Sequence, residues 1–279
     1  MLLTRQQIDG SALRFERRLL QESYSSKNAD SCFPIHDLII NAPNMNPNEN
    51  DAPFIIVEAL YPGLTQLDFT GPHTIFSRIP GAEVIVASEA GGPVESDDRL
   101  TFAGTKRMAD IARCDLLFVP GGLASTDVIN NLAFMAEFTR LAAGARYLTS
   151  VCTGSLVLGA AGLLKGKHAA CHWAWRDMLS LFGAVPDPRR VVRDGNVITG
   201  GGVTAGIDFA LVVAAELSGK AFAQSVQLNI EYAPAPPFDS GRPETAPPEA
   251  LAMSRARYAK LLPGRLEGAR AAAARQRVA

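Results

Sequence analysis

The sequence predicts an α/β domain built on a largely parallel sheet. Short apolar, β-branched runs alternate with segments of helical spacing between residues 53 and 232. Gly- and Pro-rich turns punctuate the ends of several runs. The 279-residue chain is 47% hydrophobic and 20% charged, an ordinary globular balance with enough length to bury a core.

Taken in order, Phe54–Leu60 (FIIVEAL) reads as a buried strand and 83–87 (EVIVA) as a second. Leu116–Val119 is a strand that runs into the turn Pro120-Gly121-Gly122. Residues 127–143 have helical apolar spacing behind a capping Asp127. A strand at 146–151 meets a helix at 153–161. A short strand at 169–172 precedes a helix at 175–182. Strands at 190–192 and 197–199 flank Asp194-Gly195, a hairpin signal. Helices are expected at 204–217 and 221–231.

The flanks differ in composition. Residues 1–52 read as a poorly ordered extension, Asn-, Ser- and Pro-rich from 25 onward, with Met45 a candidate internal start. Residues 233–250 are proline-rich and expected to be extended. The tail 251–279 carries seven basic residues and one acidic one. It is expected to be a solvated Ala/Arg helix or a frayed end, with nucleic-acid contact as the rival reading.

Composition also narrows the function. With 27 Lys+Arg against 28 Asp+Glu, no global field draws the protein to nucleic acid or anionic lipid. No run approaches the roughly 18–20 apolar residues of a membrane span. Residues 1–20 carry charges of both signs where a signal peptide would be apolar. The four cysteines form no CxxC pair, which argues against a zinc ribbon or a disulfide scaffold and for a reducing, cytoplasmic setting. No metal or cofactor is expected. Neither glycine-rich turn reads as a P-loop, and Gly200-Gly201-Gly202 lacks the later acidic residue of a dinucleotide site.

The strongest chemical signal is Tyr147-Leu-Thr-Ser-Val-Cys152-Thr153-Gly154-Ser155. A strand runs straight into a cysteine and a helix starts at once, the arrangement of a nucleophile elbow. The helix N-terminus would favour thiolate over thiol. The competing reading is a buried, inert cysteine. A thiolate needs a proton partner. No H-x-E or H-x-D follows Cys152, and His172, beside Trp173, is expected to line the site as a packed residue rather than to act as its base. The other candidate is Asp68 in Leu67-Asp68-Phe69-Thr70-Gly71-Pro72, whose apolar setting would raise its pKa and suit it to acid–base work. Equally, Asp68 could cap a helix starting near Pro72. Gly122 and Gly201 would bring backbone N–H groups close to a compact site.

Together these residues resemble the ThiJ/PfpI superfamily, within the class I glutamine-amidotransferase-like fold, and in it the bacterial isocyanide hydratases. The matching stretches include QLDFTGPH at 66–73, FVPGG at 118–122, RYLTSVCTGSLVLGAAGLLKGK at 146–167, HWAW at 172–175 and VVRDGNVITGGGVTAGIDFAL at 191–211. The resemblance spans about residues 54–250, the whole of the expected folded part. It implies a three-layer flavodoxin-like sandwich, a homodimer without cofactor, and hydration of a small-molecule isocyanide to an N-substituted formamide. Cys152 would be the nucleophile and Asp68 its partner, with Thr153, Gly201 and Val203 around the thiol. Cys171 stands where the family leads one to expect Thr, either as a harmless replacement or as a redox partner of Cys152.

Rival readings remain. Thr153 stands where protease- or chaperone-like members carry His, and Asp68 where deglycase-like members carry Glu, and both favour the hydratase. Sensor halves of AraC-type regulators share the central motif. Such regulators need a helix-turn-helix domain of about 100 residues, whereas about 40 follow Phe238, so that form is not expected. A thiol sensor oxidised at Cys152 is the third reading.

Overall fold

A computed structural model describes residues 52–277. The expected extension up to residue 51, with Met45, lies outside them. Strand β1 (Phe54–Leu60) and helix α1 (Gln66–Phe76) lead into β2 (Ala82–Ser88). A hairpin of β3 (Gly92–Glu95) and β4 (Thr101–Arg107) follows. Next come β5 (Leu116–Val119), a short helix α2 (Ser125–Val128), α3 (Leu132–Gly144) and β6 (Tyr147–Val151). Helix α4 (Gly154–Ala160) precedes the two-residue strand β7 (His168–Ala169) and a 3-10 helix (Arg176–Phe182). Strands β8 (Val185–Pro186), β9 (Val191–Asp194) and β10 (Val197–Gly200) lead to α5 (Ala205–Ser218) and α6 (Lys220–Asn229). Helices α7 (Pro248–Ala259) and α8 (Leu262–Gln276) end the described chain.

Eight strands form one sheet in the order β3-β4-β2-β1-β5-β6-β10-β9. Pairings from β4 through β10 are parallel, and β3 and β9 run antiparallel at the two edges. Strand alternation splits the core into two layers. Ile55, Val57 and Ala59 face a cluster containing Phe134, Phe138, Leu156 and Leu179. Ile56, Leu116 and Phe118 face one containing Phe76, Phe209 and Val213. The sheet is therefore sandwiched between α3, α4 and α8 on one side and α1, α5 and α6 on the other.

Several elements depart from the sequence expectation. The β3–β4 hairpin has no apolar run, because an edge strand buries few of its residues; in β4 only Thr105 is fully buried. The helix expected from Asp127 starts at Leu132, where Asn131 accepts hydrogen bonds from the N–H groups of Ala133 and Phe134. Helix α1 starts at Gln66, six residues before Pro72, so Asp68 lies inside its first turn and does not cap a later helix. Glycines let α1 and α5 approach closely: a Cβ at Gly206 would lie 3.1 Å from Pro72 Cδ, and one at Gly71 would lie 3.3 Å from Ile207 Cγ1. The segment 176–182 is a 3-10 helix, ended by Gly183 in the left-handed region.

The basic tail is the largest departure. It forms α7 and α8, and α8 buries Arg265, Ala269, Ala272 and Ala273. That spacing is one helical stripe. Its alanines join the core layer of α3 and α4. Small side chains make a weak apolar signal but allow close packing, which is why composition alone suggested a solvated helix.

Candidate active site

The carboxyl ends of β5, β6 and β10 meet at Cys152. Strand β6 delivers the residue, and a backbone φ of 57° turns the chain sharply toward α4. The Cys152 N–H donates to the carbonyls of Gly200 (3.1 Å) and Gly201 (2.7 Å), which ties the elbow to the end of β10. Ser155 on α4 meets Ser150 on β6 at 2.9 Å and donates to the Ala170 carbonyl at 2.6 Å. The turn after β5 lies against the other side. Thr153 Oγ1 accepts from the Gly122 N–H (2.9 Å) and donates to the Gly122 carbonyl (3.1 Å). Tyr61 Oη donates to the Pro120 carbonyl at 3.0 Å, and the Thr65 N–H donates to the Gly121 carbonyl at 2.9 Å.

Gly121 shows how tightly the parts are packed. A Cβ there would lie 2.6 Å from Thr153 N, 2.7 Å from Asp68 Oδ2 and 2.7 Å from Cys152 Cβ. The carboxyl of Asp68, from the first turn of α1, therefore shares one small space with the cysteine. Gly122 is equally confined, a Cβ there falling 2.5 Å from the Gly63 carbonyl oxygen.

Electrostatics follow from burial. Asp68 is 0% exposed, and neither of its oxygens has a fully formed hydrogen bond among the described residues. Burial pushes its pKa up to about 7, with the Cys152 thiol and the Gly121 N–H opposing that rise incompletely. The Cys152 thiol is itself pushed up, first by burial, then by the neighbouring Asp68 carboxyl and Cys171 thiol. The thiolate preference expected from the helix N-terminus is overridden. The Thr153 N–H does favour the anion, but α4 spans only seven residues and cannot offset full burial. Near neutrality Cys152 is therefore held as a thiol beside a carboxyl that can both take up and release a proton.

Five of the expected site residues gather here: Cys152, Asp68, Thr153, Gly122 and Gly201. Val203 and His172 instead line an adjoining cavity of about 610 Å³, with Cys171, Trp173 and Gly201 in its wall and residues 241–245 on its rim. His172 is held neutral. Burial, then the Arg265 charge, lower its pKa to about 4, and its Nδ1 accepts from the Ala174 N–H at 3.2 Å. Its ring packs on Trp173 and Tyr258, with centroids 5.7 and 5.6 Å away. His73 is paired with Glu58 at 2.6 Å, and His168 lies 3.7 Å from Asp187. Cys114, Cys152 and Cys171 are free thiols. Among the described residues, no three His, Cys, Asp or Glu side chains gather as a metal site, and no helix is long and apolar enough to cross a membrane. Sequence reading missed Tyr61, Tyr258 and Arg265. No local signal pointed to them.

Residues 55–216 match the model of the DJ-1/PfpI family. The chain belongs to this family. It is 49% identical over 216 residues to the isonitrile hydratase of Pseudomonas putida, an alignment covering 77% of this chain and 95% of that protein. The crystal structure of a ThiJ/PfpI family protein from Pseudomonas syringae is 41% identical and superposes with a TM-score of 0.73 over 83% of this chain and 96% of that one. The dj-1beta protein of Drosophila melanogaster is more distant, 28% identical over 60% of this chain and 91% of its own. The three-layer, mostly parallel α/β sandwich is the fold expected of the family.

Proposed function

We propose that this protein adds water to isocyanides to give N-substituted formamides, with Cys152 as nucleophile and Asp68 as proton carrier. The observation that carries the chemistry is the shared space of the thiol and the buried carboxyl at Gly121. The substrate class rests on the 49% identity to an isonitrile hydratase over nearly all of that protein.

The Cys152 sulfur attacks the terminal carbon of R–N≡C as its proton passes to Asp68. Asp68 then protonates that carbon, leaving R–N=CH–S–Cys152. A pKa of about 7 lets the carboxyl take and return a proton at neutral pH. Asp68 next removes a proton from water as the oxygen adds to the same carbon, and it delivers that proton to nitrogen. Cleavage of the C–S bond, with return of the hydroxyl proton to sulfur, releases R–NH–CHO and the free thiol. The adjoining cavity, walled partly by His172, Trp173 and Val203, accommodates the R group. A homodimer in the cytoplasm belongs to this reading.

Formamide production from cyclohexyl or aryl isocyanide tests it, with Cys152→Ala and Asp68→Asn beside the wild type. Turnover in the wild type and its loss in both variants is the expected result. An inactive wild type across several isocyanides would remove the hydratase assignment and favour a thiol sensor.

A further inference from the structure

Arg265 enters from α8 and is 5% exposed, a burial rare for arginine. Its Nη2 donates to the carbonyls of Gly122 (3.2 Å) and Leu123 (2.5 Å). The guanidinium lies 4.3 Å over the Trp175 ring. Trp175 in turn packs against Tyr258 of α7, with centroids 5.4 Å apart. Nη1 is buried with no acceptor among the described residues. None of these contacts is a carboxylate. A buried cation without a paired anion opposes folding. The rest of the α8 stripe is alanine, so packing alone does not call for a charge there.

The anion it can balance is close at hand. The Gly122 carbonyl that accepts from Arg265 also accepts from Thr153 Oγ1, and a Cβ on Gly121 beside it would meet both Cys152 and Asp68. The groups that feel the guanidinium charge, or act on it, are Tyr61, Cys152, Cys171, His172 and Asp127. Of these, Tyr61 and His172 are neutral at pH 7, the first raised and the second lowered. Cys171 is held as a thiol, with a pKa of about 12. That leaves Cys152, with Asp68 beside it, and Asp127 on α2. Asp97 acts on Asp68 and Tyr61 as a further negative charge.

We propose that Arg265 is a positioning residue for the reacting pair: it holds the Gly122–Leu123 turn against the elbow and places a buried positive charge where it favours the Cys152 anion. This rests on reading Cys152 and Asp68 as the reacting pair. It makes the C-terminal helices part of the active site.

The test compares wild type with Arg265→Met, Arg265→Gln and Arg265→Lys. The rate of Cys152 alkylation by iodoacetamide is followed by peptide mass between about pH 6 and 9, below the raised thiol midpoint, with melting temperatures alongside. The neutral variants should slow alkylation about tenfold at every pH in that range, the equivalent of a rise of about one unit in the thiol pKa. Arg265→Lys, which keeps the charge, should restore the rate even if its melting temperature falls. Folded Met and Gln variants that alkylate at the wild-type rate would overturn the proposal. So would a folded Lys variant as slow as the neutral ones, because the charge would then not be what favours the anion. Alkylation needs no isocyanide turnover, so failure of the hydratase assignment would show separately, as absent formamide with the alkylation shift intact.

Discussion

Gly121→Ala tests the geometry of the site most directly. The added Cβ would stand 2.6 Å from Thr153 N, 2.7 Å from Asp68 Oδ2 and 2.7 Å from Cys152 Cβ. Ordinary Cβ contacts begin near 3.4 Å, so the turn, the carboxyl or the elbow must move by roughly 0.8 Å. None of the three can yield cheaply. Thr153 N and Cys152 Cβ belong to the elbow itself, and Asp68 is enclosed in the first turn of α1. A displacement of that size at reacting atoms costs about 10²-fold in rate. Overpacking should cost about 1–3 kcal/mol of stability. The assay is kcat/KM for formamide release, with the urea midpoint measured alongside. Gly144→Ala is the control: its added Cβ meets nothing within 4 Å and its φ is not positive, so activity should hold and stability rise slightly. A Gly121→Ala enzyme with near wild-type kcat/KM and unchanged stability would refute the packing described for Cys152, Asp68 and the Pro120–Gly122 turn.

Three further outcomes follow from other parts of the molecule. The folded pKa of Asp68, raised from 3.8 to about 7, means the native state binds a proton that the unfolded chain has released, so this residue lowers stability as pH rises through that window. Asp68→Asn should therefore melt above wild type at pH 8 by a margin that shrinks toward pH 4; a margin independent of pH would contradict the assignment. His172, held neutral with a pKa of about 4, is no proton carrier above pH 5. His172→Gln should change KM yet leave the shape of the kcat pH profile between pH 5.5 and 8 intact, and loss of a limb in that range would make it a base. Ala272→Asp places a carboxylate on the buried face of α8 and should cost several kcal/mol in denaturant unfolding, whereas a solvated tail would shift by less than about 0.5 kcal/mol.

Much of the fold was legible because its signals are local. Phe54–Leu60, Leu116–Val119 and the strand before Cys152 are buried on both faces, so they read as apolar runs. The Asp194-Gly195 turn announced its hairpin through Gly195, which stands at φ 63°. The elbow announced itself through a strand, a cysteine and small residues in immediate succession. The β3–β4 hairpin was silent because edge strands are half solvated, and α8 was silent because its buried stripe is alanine.

What the chain order alone determined was the α/β class, the position of Cys152 at a strand–helix junction, and the candidacy of Asp68. Tertiary structure decided the rest. It put residue 68 against residue 152, raised the Asp68 carboxyl while lowering the His172 imidazole, and carried Arg265 to the Gly122 turn. The physical reason is that proton affinity in this site is governed by desolvation and by neighbours distant in sequence. Burial raised both the thiol and the carboxyl, against the local preference of a helix N-terminus, and burial depends on how the layers close around the sheet.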